Sequence, residues 1–239
     1  MKALILAAGL GSRLAPITND KPKSLVEVNG MPILFRQIEK LQENNINDIT
    51  IVTGYKSEIL ENKVMANYKG INFITSDDYR NTNNMYSAYI GIKSMFADNN
   101  IKSFLMMNAD VFYDSVIVKD LLSNGKPNMI AVDKGAFNDE SMKIEVKNRR
   151  IIDISKKINK DNAYGCSIDV YKFGSDGGKA FFNICSKYIE KEKNLNMWSE
   201  VALAEILSEI EFVPLDINGR WLEIDNHDDL RKAEMLFSK

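Results

Sequence analysis

The chain has 239 residues, 45% hydrophobic and 27% charged, with 31 basic against 33 acidic side chains and one histidine. It is too apolar for a disordered chain, and its balanced charge gives no global reason to expect a nucleic-acid partner. No run of about 18 apolar residues is present, so no helical membrane span is expected, and the length suits one domain that buries a core without disulfides.

Lys2 to Ala7 is a short apolar run, which predicts a strand buried on both faces. It stops at Gly9, too early for the apolar stretch of a signal peptide. Pro32 opens a helical pattern through Ile33, Ile38 and Leu41 that Asn44-Asn45 closes. Ile49–Thr53 is β-branched and reads as a strand. Ser57 to Asn67 predicts a helix capped by Ser57, and Ile71–Thr75 another strand. Asn84–Phe96 reads as helix and Ser103–Met107 as an apolar strand. From Met129 to Phe173 four short runs suggest antiparallel strands: Met129–Val132, Met142–Val146, Ile151–Ile154 and Gly165–Phe173. Helices at about Lys179–Glu192 and Trp198–Ser208 precede strands Phe212–Leu215 and Trp221–Ile224, and Asp228–Phe237 predicts a terminal helix. The β-α-β-α-β start predicts a mainly parallel or mixed sheet flanked by helices, an α/β fold. We expect one domain over 1–239, with a nucleotide-binding core at 1–110 and a β-rich acceptor-side segment at about 129–175.

Leu6-Ala7-Ala8-Gly9-Leu10-Gly11-Ser12-Arg13-Leu14 is the most informative stretch. Small residues at a strand end let the backbone approach a ligand, and free amides there hold phosphate oxygens. Arg13 adds a planar cation, and Lys21-Pro22-Lys23 two more on a stiffened loop. The dinucleotide and P-loop glycine patterns are both absent, since Leu14 stands where the former needs glycine. An ordinary strand–helix turn is the plain alternative, and Lys21 reads equally as a solvated loop lysine.

Asp110 follows an apolar strand, where ligands of open α/β sheets gather, and a carboxylate there suits Mg²⁺. In Trp221-Leu222-Glu223-Ile224-Asp225, period two puts Glu223 and Asp225 on one side. Taken alone, such an Asp reads as a helix cap. The sole histidine, His227, reads as a turn residue near a helix start, so Ser-His-Asp or Cys-His chemistry has little support. Cys166 and Cys185 make no metal-ligand spacing and read as reduced core residues of a cytoplasmic protein.

The glycine loop with Pro22-Lys23 resembles the signature of nucleotidyltransferases that join an NTP to a phosphorylated metabolite. Pro32-Ile33-Leu34, Gly54-Tyr55, Asn84-Met85-Tyr86-Ser87 and Trp221-Leu222-Glu223-Ile224-Asp225 extend the likeness. It covers most of the chain, is firmest over 1–110, and is similar in its Asn-x-Tyr-Ser element and short length to bacterial phosphocholine cytidylyltransferases of the LicC type. The resemblance implies a Rossmann-like sheet of the nucleotide-diphospho-sugar transferase kind. The nucleotide would meet Leu6, Ala7, Ala8, Gly9, Gly11, Ser12, Arg13, Lys23, Asn84 and Ala109. Arg13 and Lys23 would be catalytic, and Asp110 and Asp225 would bind Mg²⁺. Residues 129–165 match no motif strongly, and the family varies its acceptor pocket there. This length leaves no room for the C-terminal β-helix of some hexose-1-phosphate enzymes.

The implied reaction transfers CMP from CTP to a small phosphorylated or phosphonate acceptor in the cytoplasm, with pyrophosphate leaving, for cell-surface polysaccharide decoration. Both partners are anions, so positioned cations matter more than a base, which agrees with one histidine. Asp78, Tyr79, Asn83, Tyr86, Trp198, Glu200 and Glu223 are acceptor-side candidates. Carboxylates with aromatic faces favour an amino-bearing acceptor such as phosphocholine, 2-aminoethylphosphonate or a glutamine phosphoramidate. Tyr86 and Trp198 could instead be core aromatics, and Glu200 a solvated helix residue. Rival readings are a hexose-1-phosphate nucleotidylyltransferase using UTP, GTP or dTTP, a non-catalytic nucleotide-binding module, and a glycosyltransferase. The last would want Asp-x-Asp where Asn108-Ala109-Asp110 stands. No nucleic-acid or membrane partner is expected, and a homodimer is left open.

Overall fold

A computed structural model describes residues 1–97, 100–135 and 137–238. The strands are β1 (Lys2–Leu6), β2 (Glu27–Val28), β3 (Met31–Pro32), β4 (Asp48–Thr53), β5 (Ile71–Thr75), β6 (Phe104–Asn108), β7 (Val111–Tyr113), β8 (Met129–Asp133), β9 (Lys143–Lys147), β10 (Arg150–Ser155), β11 (Gly165–Phe173), β12 (Val213–Asp216) and β13 (Trp221–Glu223). The helices are α1 (Ile33–Glu43), α2 (Ser57–Met65), α3 (Asn84–Met95), α4 (Ser115–Ser123), α5 (Ser175–Ser186), α6 (Ser199–Ile206) and α7 (His227–Leu236).

The main sheet runs β10-β9-β11-β6-β1-β4-β5, with β8 on β11 and β12 on β8. β1 is parallel to β4 and β6, and β5 is parallel to β4. β11 is antiparallel to β6, β8 and β9. The sheet is therefore mixed, parallel in its first half and mostly antiparallel in its second, where β12 alone runs parallel to β8. Both faces of β1 are buried, as its unbroken apolar run requires. Leu4 and Leu6 join a core with α3, α5 and α6, while Ala3 and Ile5 join one with α1, α2 and α4. Gly91 lets α3 close on β1, since a Cβ there would sit 2.5 Å from Leu4 Cδ1.

The expected strands and helices are present, with several differences, among them the short β2–β3 pair before α1, where no strand was expected. Lys56, not Ser57, precedes α2, in a left-handed conformation and without a side-chain cap. A π-helical turn (Lys187–Lys191) continues α5. Trp198 stands at the cap of α6 rather than inside it. Between 111 and 128, where no element was expected, β7 pairs with β13 and α4 packs on the sheet. Among the described residues no helix is long and apolar enough to cross a membrane.

Candidate active site

A cleft of about 1010 Å³ opens where β1, β6 and β8 end and β11 begins. The loop after β1 forms one wall. Gly11 lies at φ +63° in that loop, and a Cβ there would come 2.6 Å from Lys23 Cβ. Glycine is needed both for the left-handed backbone and for the approach of Lys23. Thr18 Oγ1 donates to the Gly11 carbonyl at 2.9 Å and holds the turn.

Lys23 Nζ donates to Asp110 Oδ2 at 2.8 Å and to Asp225 Oδ1 at 2.6 Å, and Arg13 Nη2 lies 2.8 Å from Asp225 Oδ2. Residues from three distant parts of the sequence thus converge. Burial disfavours the Lys23 ammonium, but the two carboxylates overcome it and hold its pKa above the usual lysine range. Burial likewise opposes ionisation of Asp225, and Lys23 and Arg13 overcome it, so the carboxyl lies below its ordinary range. Glu223 is pushed up to about 9 by desolvation and then by Asp110, Asp169 and Asp225. Glu223 joins Asp110 and Asp225 as the sequence period suggested: one oxygen from each lies within 4.8 Å of the others. Asp110 Oδ1 is buried without a hydrogen-bond partner. A hard oxygen donor set with an orphaned carboxylate oxygen fits a divalent cation.

Every expected nucleotide-side residue lines the cleft, from Leu6, Ala7, Ala8, Gly9, Gly11, Ser12 and Arg13 to Lys23, Asn84, Ala109 and Asp110. Asn83, Trp198, Glu200, Glu223 and Asp225 do so too. Asn83 also caps α3 through its own side chain, and Asn84 Oδ1 accepts from the Ser199 amide at 2.8 Å, tying α3 to α6. Two acceptor candidates lie off the cleft wall. Asp78 is exposed and holds Asn81 Nδ2 at 2.6 Å, and Tyr86 packs on the core under α3. Trp198 is 45% exposed, so it is a rim residue rather than a core aromatic, and Lys156 Nζ lies 4.7 Å from its ring centre. Glu200 is buried rather than solvated. Lys21 is not on the wall. The His227 ring meets the Ala15 carbonyl at 2.8 Å, at the start of α7. Cys166 and Cys185 are free and buried.

Sequence reasoning missed Asp169. It sits at a bulge of β11, where the register on β8 shifts between Ser167 and Tyr171, with φ +57°. Asn108 Nδ2 donates to its Oδ2 at 2.8 Å. The Tyr171 hydroxyl lies 2.9 Å from Asp169 Oδ1 and 2.8 Å from Glu200 Oε1. One hydroxyl carries one proton, so it cannot serve both carboxylates at once. Burial, and then the charges of Glu200 and Asp110, push Asp169 up to about 7. The signal in the sequence was slight: Ser167, Asp169 and Tyr171 interrupt an apolar strand at period two.

The nucleotidyl transferase family profile matches residues 2–239. The CTP:phosphoglutamine cytidylyltransferase of Campylobacter jejuni is 29% identical over 248 residues, covering 96% of this chain and 98% of that protein. The choline-phosphate cytidylyltransferase of Streptococcus pneumoniae is 47% identical over 90 residues, 38% of each chain. Among solved structures, the CTP:phosphocholine cytidylyltransferase from Streptococcus pneumoniae superimposes with a TM-score of 0.82 at 26% identity, covering 99% of both chains. The inositol-1-phosphate CTP transferase of T. maritima, at 19% identity and a TM-score of 0.80, shares the fold.

Proposed function

We propose, since this chain belongs to the nucleotidyl transferase family, that it transfers CMP from CTP to a small phosphorylated or phosphonate compound bearing an amine. The observation that carries the transfer chemistry is Lys23 spanning Asp110 and Asp225 beneath the loop that bears Arg13. The two similar cytidylyltransferases, one of phosphoglutamine and one of phosphocholine, support CTP and an amino-bearing acceptor.

An oxygen of the acceptor phosphate attacks the α-phosphorus of CTP. The bond from that phosphorus to the bridging oxygen breaks, and pyrophosphate leaves. An acceptor phosphate is already ionised at neutral pH, so no general base is needed. Arg13 and Lys23 offset the charge of two meeting anions from fixed positions, which lowers the barrier without reorganisation. Asp110 and Asp225, with Glu223 beside them, would hold a divalent cation, proposed as Mg²⁺, which would neutralise charge on phosphate oxygens. The loop at Gly9 and Gly11 brings main chain to the nucleotide.

Asp169 and Glu200 inside the cleft, with the Trp198 face at its rim, support a cationic group on the acceptor. A neutral sugar would bring no positive charge to Asp169 and the buried Glu200. The proposed place of action is the cytoplasm, where the nucleotide pool lies.

The test is pyrophosphate release with each of the four NTPs against phosphocholine, phosphoethanolamine, 2-aminoethylphosphonate, a glutamine phosphoramidate and glucose-1-phosphate. CTP with an amine-bearing acceptor is expected to lead. Fastest turnover of UTP with glucose-1-phosphate would overturn the reading. A neutral isostere of phosphocholine, 3,3-dimethylbutyl phosphate, isolates the cation: equal kcat/KM for the two would remove the amine from the proposal.

A further inference from the structure

Lysine is among the residues least often fully buried unless paired. Lys143, at the start of β9, is 2% exposed, and among the described residues no carboxylate pairs with it. Its ammonium instead meets three backbone carbonyls of the preceding loop: Asn138 at 3.4 Å, Asp139 at 3.3 Å and Ser141 at 3.4 Å. Desolvating an ammonium for three long contacts to neutral oxygens is a poor source of stability. What the arrangement does achieve is to gather one loop around a fixed point.

That loop faces the cleft: Asn138, Glu140, Ser141 and Met142 line it. Apart from the Ser167 amide, which donates to the Met142 carbonyl at 2.8 Å and ties the last residue of the loop to β11, its other ties are weak. The Asn138 side chain accepts from the Glu140 and Ser141 amides, which shapes the turn but does not anchor it to the sheet. The ion pairs Lys160–Asp139 and Lys156–Glu140 involve carboxylates about nine-tenths exposed, at 91% and 89%, and such pairs contribute little. Lys143 is anchored on the sheet, its residue paired with Ser155 on β10 and Cys166 on β11. We propose that Lys143 is a positioning residue that fixes the 138–142 loop as the wall of the acceptor end of the cleft, and so sets acceptor affinity without touching the acceptor or the nucleotide. This rests on the reading that the β-rich side takes the acceptor.

The test uses the full chain with Lys143→Met, which keeps the buried stem and removes the charge, and Lys143→Arg, which keeps the charge. Hydrogen exchange of the 138–142 amides, read without any acceptor, should speed up in the Met variant and return toward the parent in the Arg variant. The KM for the acceptor should rise about tenfold in the Met variant, the scale of one lost contact to a charged group, while the KM for CTP stays within about twofold. Unchanged exchange, or faster exchange at an unchanged acceptor KM, would overturn the proposal. Loss of CTP binding in parallel would overturn it too, by showing a general structural role. If no acceptor were turned over by the parent, the cytidylyltransferase reading would fail, and the exchange comparison would still decide whether Lys143 holds the loop.

Discussion

Asp169 places a carboxylate where the backbone disfavours most side chains, in the left-handed region at φ +57°, beside Glu200 and under one shared tyrosine proton. Residues kept in such conformations are held by their surroundings and tend to be functional. Its pKa, raised from 3.8 to about 7, has a consequence for stability. The folded chain holds this proton more tightly than the unfolded one, so folding takes up a proton between roughly pH 4 and pH 7. The stability this contributes is complete below that window and is withdrawn as pH rises through it. Asp169→Asn, which also tolerates a left-handed backbone, has no proton to lose. The variant should therefore melt higher than the parent, by a margin that is larger at pH 8 than at pH 5. An equal margin at both would refute the assignment. Lys23 carries the opposite kind of prediction. Its ammonium holds both strand-end carboxylates and is placed for the reacting phosphates, so Lys23→Met should lower turnover by about a hundredfold to a thousandfold, with circular dichroism unchanged. Pyrophosphate release at the parent rate would remove Lys23 from the mechanism.

At the scale of elements, the loop after β1 and the start of α7 fix the two walls of the charged cluster. Gly11→Ala would place a Cβ 2.6 Å from Lys23 Cβ on a left-handed backbone. We expect a cost of about 1 kcal/mol in denaturant unfolding, with a far larger loss of turnover because Lys23 must move. Asn226 caps α7 by accepting from the Asp228 and Asp229 amides, immediately after Asp225. Asn226→Ala should cost about 1 kcal/mol in the same assay, and no measurable change would mean that the cap is redundant. Elements marked by an apolar run, β-branched composition or a helical period were legible from sequence, including β1, α1, β4, α3 and β6, and with them the loop, Lys23 and Asp110. Glu223 and Asp225 were legible together because their spacing alone put them on one side. α4 was not, since Ser-Val-Ile-Val opens it with β-branched residues that favour strands, and tertiary packing on the sheet decides it. Asp169 escaped because a bulge, invisible to an alternating pattern, redirects side chains along β11. Asp78 and Tyr86 fall off the cleft wall for a related reason: composition near a helix start says which groups are close in sequence, not which face they take.

For the whole molecule, the question is whether the β-rich segment at 129–175 is a separate unit. Chains of this length commonly unfold through intermediates, so a detached segment would be the default expectation. The sheet argues otherwise. β11 pairs with β6 along Val170–Phe173 and with β9 at Gly165–Cys166, so a single strand carries hydrogen bonds to both halves. The core is shared in the same way: Leu4 and Val52 from the parallel half lie in one buried cluster with Ile144 and Ile151 from β9 and β10. Detaching the β-rich segment would expose Ile130, Val132 and Tyr171 on its side and Phe104 and Met106 of β6 on the other, all members of one buried cluster, a loss of burial that neither part could balance alone. We therefore expect urea unfolding followed by far-UV circular dichroism and by the fluorescence of Trp198 and Trp221 to give one coincident transition. CTP should move both midpoints together, because a ligand of one half then stabilises the whole cooperative unit. A fluorescence transition preceding that of circular dichroism, with only the later one shifted by CTP, would show the two halves to be independent.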